Sequence, residues 1–127
     1  MVNEKIRYLS KDAADIALKN PIAQHTIRKA RQYRLERTRQ VLRDNDIAAA
    51  LLYDPCNIRY ATDTSNMQLW TMHNPCRYAL IFADGPALLF DYQNCAHLHD
   101  DKRLPNGQLT VDEIRLAIAW AYFAAGE

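Results

Sequence analysis

Three residues of one polar stretch offer this sequence's richest chemistry: Trp70, His73 and Arg77. They set an indole, a titratable imidazole and a guanidinium able to grip a carboxylate through two hydrogen bonds within a single irregular excursion. The stretch from Asp63 to Arg77 also holds Met67 and Met72. Such a mixture suits the wall of a substrate pocket. The alternative is a packed surface loop in which Trp70 and the methionines plug a sheet.

Other candidate groups point to less. His97-x-His99, followed by Asp100 and Asp101, has the ligand types of a divalent-metal site. It lacks a third ligand at a diagnostic spacing, and side chains two apart on a helix diverge. Cys56, Cys76 and Cys95 are candidate nucleophiles for His25 or His73. A catalytic thiol also needs an orienting group and an oxyanion donor, and no such constellation is visible, so the cysteines read as small hydrophobes. Carboxylates occur singly or as neighbours such as Asp112-Glu113, which on a strand face opposite ways and cannot share acid–base work. With 3 glycines and no phosphate-binding glycine motif, a nucleotide cradle is excluded. The expectation is a chain with no catalytic residue and no metal ligand of its own.

Arg28, Lys29, Arg31, Arg34, Arg37, Arg39 and Arg43 crowd one helical segment, 28–43, and would suit phosphate contacts. They are spread around the helix, and 15 acidic residues offset the 16 basic ones, leaving a net charge of +1. A solvated helix face is therefore favoured over nucleic-acid binding.

At 127 residues, 49% hydrophobic and 24% charged, the chain matches one globular domain and neither a disordered tail nor a fibre. Its 3 cysteines form no C-x-x-C pair and no disulfide framework, which fits a reducing cytoplasm. No apolar run approaches the roughly 18 residues of a membrane span, and residues 1–10 lack the apolar core of an export signal. No membrane partner is expected.

The elements that must position these residues are legible in part. Ser10 is placed to cap a short helix over 11–19, and Asn20-Pro21 to start a longer one. The longer helix carries Ile27, Ala30, Leu35, Thr38, Val41 and Leu42 at three- and four-residue steps and should stop at Asp44-Asn45-Asp46, with Asn45 left-handed. Ile47 to Tyr53 is a continuous apolar run closed by Asp54-Pro55, which predicts a strand covered on both faces. Asn57 to Thr62 reads as a short extended piece. Arg77–Ala83 and Pro86–Tyr92 flank Asp84-Gly85, a pair tolerant of positive φ, and predict an antiparallel hairpin. A helical turn over 95–99, a polar stretch over 100–107 and a strand within 109–115 follow. Residues 117–125 are densely apolar, and further chain is expected to cover them. Together these predict an α/β fold with a mixed sheet: an N-terminal helical segment, 1–45, and an α/β unit, 46–127, incomplete at its C-terminal end.

The run Arg34-Leu35-Glu36-Arg37 through Asp46-Ile47, and then Leu51-Leu52-Tyr53-Asp54-Pro55-Cys56-Asn57-Ile58-Arg59-Tyr60-Ala61-Thr62, resembles the N-terminal domain of the creatinase, prolidase and aminopeptidase P superfamily. Asn57, Ile58, Tyr60 and Thr62 carry the recognisable motif. Tyr60-Ala61-Thr62-Asp63, Asn66-Met67-Gln68-Leu69-Trp70 and His73-Asn74-Pro75 are most similar to a branch containing dimethylsulfoniopropionate lyases and Xaa-Pro peptidases. Asp63 stands where peptidase relatives have glycine.

The resemblance implies a non-catalytic domain of a metal-dependent hydrolase or lyase. It further implies a second, pita-bread domain holding two divalent metal ions on Asp, His and Glu ligands, none of which has a matching position here. It implies a homodimer in which this domain narrows the neighbouring active site around a small carboxylate-bearing substrate. Trp70, His73 and Arg77 are the residues placed for that role, with Arg77 meeting either the substrate carboxylate or the sheet edge. A stand-alone dimerisation module is the other reading, and a nucleic-acid-binding domain using helix 28–43 the third.

Overall fold

The computed structural model describes residues 22–73 and 76–117. A long helix, α1 (Gln24–Asp44), leads into strand β1 (Ala49–Leu52), helix α2 (Pro55–Thr62) and the short helix α3 (Gln68–His73). The hairpin β2 (Tyr78–Phe82) and β3 (Ala87–Asp91), a 3-10 turn (Ala96–His99) and β4 (Glu113–Leu116) complete the order. The sheet runs β1-β2-β3-β4, antiparallel at its first two junctions and parallel between β3 and β4. This is the mixed α/β architecture that the pattern predicts.

Alternation along β2 decides where the core lies. Ala79 and Ile81 are fully buried while Tyr78, Leu80 and Phe82 are partly exposed on the other face. On the buried face, Leu35 and Leu42 of α1 and Ile58 and Ala61 of α2 pack with Ala79, Ile81 and Leu89. Residues on both sides of the boundary expected at 45 thus share one core. On the opposite face Tyr53, Tyr78 and Phe90 form an aromatic row, with ring centroids 5.5 Å and 4.6 Å apart.

Four local expectations are corrected. Helix α1 starts at Gln24 behind Ala23, which makes no side-chain cap; Asn20-Pro21 and the helix over 11–19 lie outside the described residues, as does the run 118–125. The helix does stop at Asp44, but the left-handed residue is Asp46, φ 55°, whereas Asn45 sits at φ −109°. Strand β1 is a terminal strand of the described sheet, not one covered on both faces, and Leu51 on it is 48% exposed.

The fourth concerns residues 57–62, which are helical, not extended. Asp54 is the N-cap, its carboxylate accepting the Asn57 N–H at 2.9 Å, and Pro55 sits in the first turn. The Asp-Pro pair that suggested a turn is helix-start chemistry, because proline has no N–H to leave unsatisfied there.

The hairpin forms as expected, by other means. Neither Asp84 nor Gly85 adopts positive φ. Glycine is required by space: a Cβ at Gly85 would stand 2.9 Å from the Cβ of Phe82.

Candidate functional site

Period-two alternation puts Ala87, Leu89 and Asp91 on the same, inward face of β3. Asp91 therefore enters the core as a carboxylate, 1% exposed, and must find donors there. Four converge on it. Arg77 precedes β2 and lies one step beyond the Tyr78–Phe90 pair, so it stands across from Asp91; its Nε donates to Oδ2 at 3.1 Å. His99, carried inward by the 3-10 turn, meets Oδ2 through Nε2 at 2.7 Å. Asn66 donates its side-chain amide to Oδ1 at 2.9 Å, and the Tyr92 N–H adds a bond of 2.8 Å. Arg77 and His99 are each 1% exposed.

Burial pushes the Asp91 carboxyl up. The His99 hydrogen bond, the Arg77 charge, the Tyr92 N–H and the Asn66 amide outweigh it and hold the group at about 2. The network extends outward: Arg77 Nη2 donates to the Thr64 hydroxyl at 2.8 Å, and the Thr64 and Thr62 hydroxyls are 2.7 Å apart. The Thr110 hydroxyl bonds the Thr62 carbonyl, joining the segment before β4 to the end of α2. His99 Nδ1 is buried and has no partner among the described residues. Next to the network the Cys76 sulfur lies 2.7 Å from the Tyr92 hydroxyl, and burial together with that contact pushes the Tyr92 phenol up.

A second ion-pair cluster fastens α1 to the end of α2. Asp63, at φ 56°, ends α2 in the left-handed conformation that glycine adopts most readily. Its carboxylate accepts Arg31 Nε at 2.7 Å and Arg34 Nη2 at 3.3 Å. Arg31, 5% exposed, also donates to the carbonyl oxygens of Asp101 and Arg103.

Of the residues singled out in the sequence, Trp70 and His73 lie together on α3, Trp70 51% exposed and His73 exposed. Met67 and Met72, in the same stretch of chain, are 55% and 63% exposed. Arg77 is not on that surface. Its expected partners are a substrate carboxylate or the sheet edge; among the described residues its guanidinium pairs instead with Asp91 of β3, an inner strand of the sheet.

The motif on α2 divides by face. Ile58 is in the core, and Thr62 is fully buried with its hydroxyl on the Ile58 carbonyl at 2.7 Å. Tyr60 is 45% exposed, and Asn57 is exposed.

His97 and His99 part company: His97 is exposed with Nδ1 on the Asn94 carbonyl at 3.0 Å, while His99 is buried on Asp91. Among the described residues no three of His, Cys, Asp and Glu converge on a metal position. The 3 cysteines are free thiols. On α1, Arg31, Arg34, Arg39 and Arg43 are engaged within the chain, the last two on the Gly85 and Ala83 carbonyls. No described helix is long and apolar enough to cross a membrane.

Sequence reading missed the Asp91 hub, although the parity of β3 held a clue: a carboxylate in register with Ala87 and Leu89 must point inward and demands a cation. Asn66 offered no comparable clue, because nothing in an irregular segment fixes which way its amide turns.

Comparison with known proteins adds the family. The model of the creatinase/prolidase N-terminal domain matches residues 34–115. The chain is also 46% identical over 72 residues to dimethylsulfoniopropionate lyase DddP of Roseovarius nubinhibens, covering 57% of this chain and 16% of that protein. It is 44% identical over 80 residues to dimethylsulfoniopropionate lyase DddP of Roseobacter denitrificans, covering 63% of this chain and 17% of that one. It thus spans about a sixth of the length of the curated relatives it matches. With more than half of its residues inside the family match, and with the mixed sheet and capped α2 that the motif builds, the chain belongs to the creatinase/prolidase N-terminal domain family.

Proposed function

We propose that this chain acts as the non-catalytic N-terminal domain of a metal-dependent hydrolase or lyase of the creatinase/prolidase kind, nearest in chemistry to dimethylsulfoniopropionate cleavage. In this reading the domain contributes to a homodimer, and the surface of α3 forms part of a substrate-pocket wall completed elsewhere in the enzyme. Two divalent metal ions would belong to a second domain, since the described residues here offer no convergent ligand set. They would supply Lewis-acid activation of the substrate.

The observation that carries this reading is the surface of α3: Trp70 stands half exposed one helical turn before His73, with Met67 exposed just ahead of the helix, inside the family-matched segment. Dimethylsulfoniopropionate joins a sulfonium cation to a carboxylate. An indole face attracts such a cation, and polarisable methionine sulfur suits its methyl groups. Arg77 lies buried away from that surface, its charge committed to Asp91.

The test uses the full-length enzyme with Trp70→Leu and His73→Ala. The expected result for Trp70→Leu is a KM for dimethylsulfoniopropionate raised about tenfold or more, with kcat and bound metal little changed. Unchanged KM, or loss of metal, overturns the pocket-wall role. Cleavage of substrate by the 127-residue chain alone overturns the non-catalytic role.

A further inference from the structure

The excursion that carries α3 is tied into the fold at two buried points just before the helix. The Asn66 amide donates to Asp91 at 2.9 Å, and the Thr64 hydroxyl accepts from Arg77 at 2.8 Å. Asn66 is 9% exposed and Thr64 fully buried, so both bonds are shielded from water. Immediately after them Met67 adopts φ 42°, a left-handed conformation uncommon for a residue with a side chain, and its carbonyl receives the Thr71 N–H at 3.0 Å in the first turn of α3. The strained residue is held between an anchored amide and the start of the helix.

The anchor is more than Asp91 needs. The ladder between β2 and β3 sets the strand register without Asn66, and the carboxylate already has Arg77, His99 and the Tyr92 N–H. What the Asn66 bond adds is a direct tie from the excursion to the Asp91 carboxylate, across 25 residues of sequence.

We infer that Asn66 is a positioning residue: held by Asp91, it sets the orientation in which α3 offers Trp70 and His73 to substrate, with Thr64 on Arg77 as the second tie. The inference rests on the pocket-wall reading and names the residues that regulate that wall's geometry.

The experiment combines hydrogen exchange with steady-state kinetics on the full-length enzyme carrying Asn66→Ala or, at the other tie, Thr64→Val. The expected result is faster amide exchange across residues 64–73 with β2 and β3 unchanged. A KM for dimethylsulfoniopropionate raised about tenfold should accompany it, with kcat within about twofold. Wild-type exchange in 64–73 overturns the inference, as does faster exchange with both kinetic constants unchanged. Acceleration throughout β2 and β3 also overturns it, because Asn66 would then be a determinant of overall stability. Trp70→Leu, measured in parallel, separates the two claims. If it raises KM while both tie variants leave it unchanged, only the positioning role falls. If it leaves KM unchanged, the pocket-wall reading falls, and the exchange data still decide whether Asn66 anchors α3.

Discussion

Asp63 accepts Arg31 Nε at 2.7 Å while its own backbone stands at φ 56°, so one residue both ends α2 and neutralises a guanidinium that is 5% exposed. A glycine here would relieve the backbone but leave Arg31 with only the carbonyls of Asp101 and Arg103. Asp63 and Arg31 thus make sense as a pair: the backbone strain at Asp63 is offset by the ion pair that its carboxylate makes with the buried guanidinium.

Asp63→Gly tests which effect is larger. Left-handed backbone costs a non-glycine residue about 1 kcal/mol, whereas stripping a buried cation of its partner costs about 3 kcal/mol or more. The expected outcome is a net loss of about 2 kcal/mol in urea unfolding, with a smaller loss for Asp63→Asn, which keeps an acceptor oxygen and tolerates the conformation.

Stability should also depend on acid through Asp91. Its carboxyl is held at about 2, below its ordinary 3.8, by His99, Arg77, Tyr92 and Asn66 acting against burial. A lowered folded-state pKa means that stability is fully present above the ordinary value and is lost as pH falls through the native one. Urea unfolding between pH 5 and pH 2 should show about 2 kcal/mol lost, mostly between pH 4 and pH 2, and Asp91→Asn should flatten that part of the curve.

A helix cap and a hairpin turn give local tests. Asp54→Ala removes the acceptor of the Asn57 N–H and should cost about 1 kcal/mol, with Asp54→Ser recovering most of it. Gly85→Ala forces a Cβ to 2.9 Å from that of Phe82, a side-chain atom that cannot swing away, and should cost about 1–3 kcal/mol. A neutral Gly85→Ala would show that the loop shifts freely.

The basic helix should not behave as a nucleic-acid-binding surface. Arg31, Arg34, Arg39 and Arg43 already serve Asp63 and backbone carbonyls. DNA and RNA should migrate unchanged in a low-salt gel-shift titration with the chain; retarded migration would reverse this assignment.

Local signals were legible wherever they were strong. The hairpin around Asp84-Gly85, the end of α1 at Asp44 and the mixed sheet followed from periodicity and turn residues. Where one dipeptide serves two purposes the reading failed: Asp54-Pro55 caps a helix as readily as it closes a turn, and only the packing of Ile58 and Ala61 against the sheet selects the helix. The exposure of Leu51 escaped for a similar reason, since an apolar run does not say whether its strand is central or terminal.

By itself, then, the sequence determined the family, through residues 34–62 and their motif, and the surface chemistry of Trp70 and His73, which stays local to α3. Tertiary structure alone decided the partners of Asp91. Its four donors come from positions 66, 77, 92 and 99, brought together by strand register, a 3-10 turn and an irregular loop. A buried charge collects whatever donors the fold carries to it, and no spacing along the chain encodes that convergence.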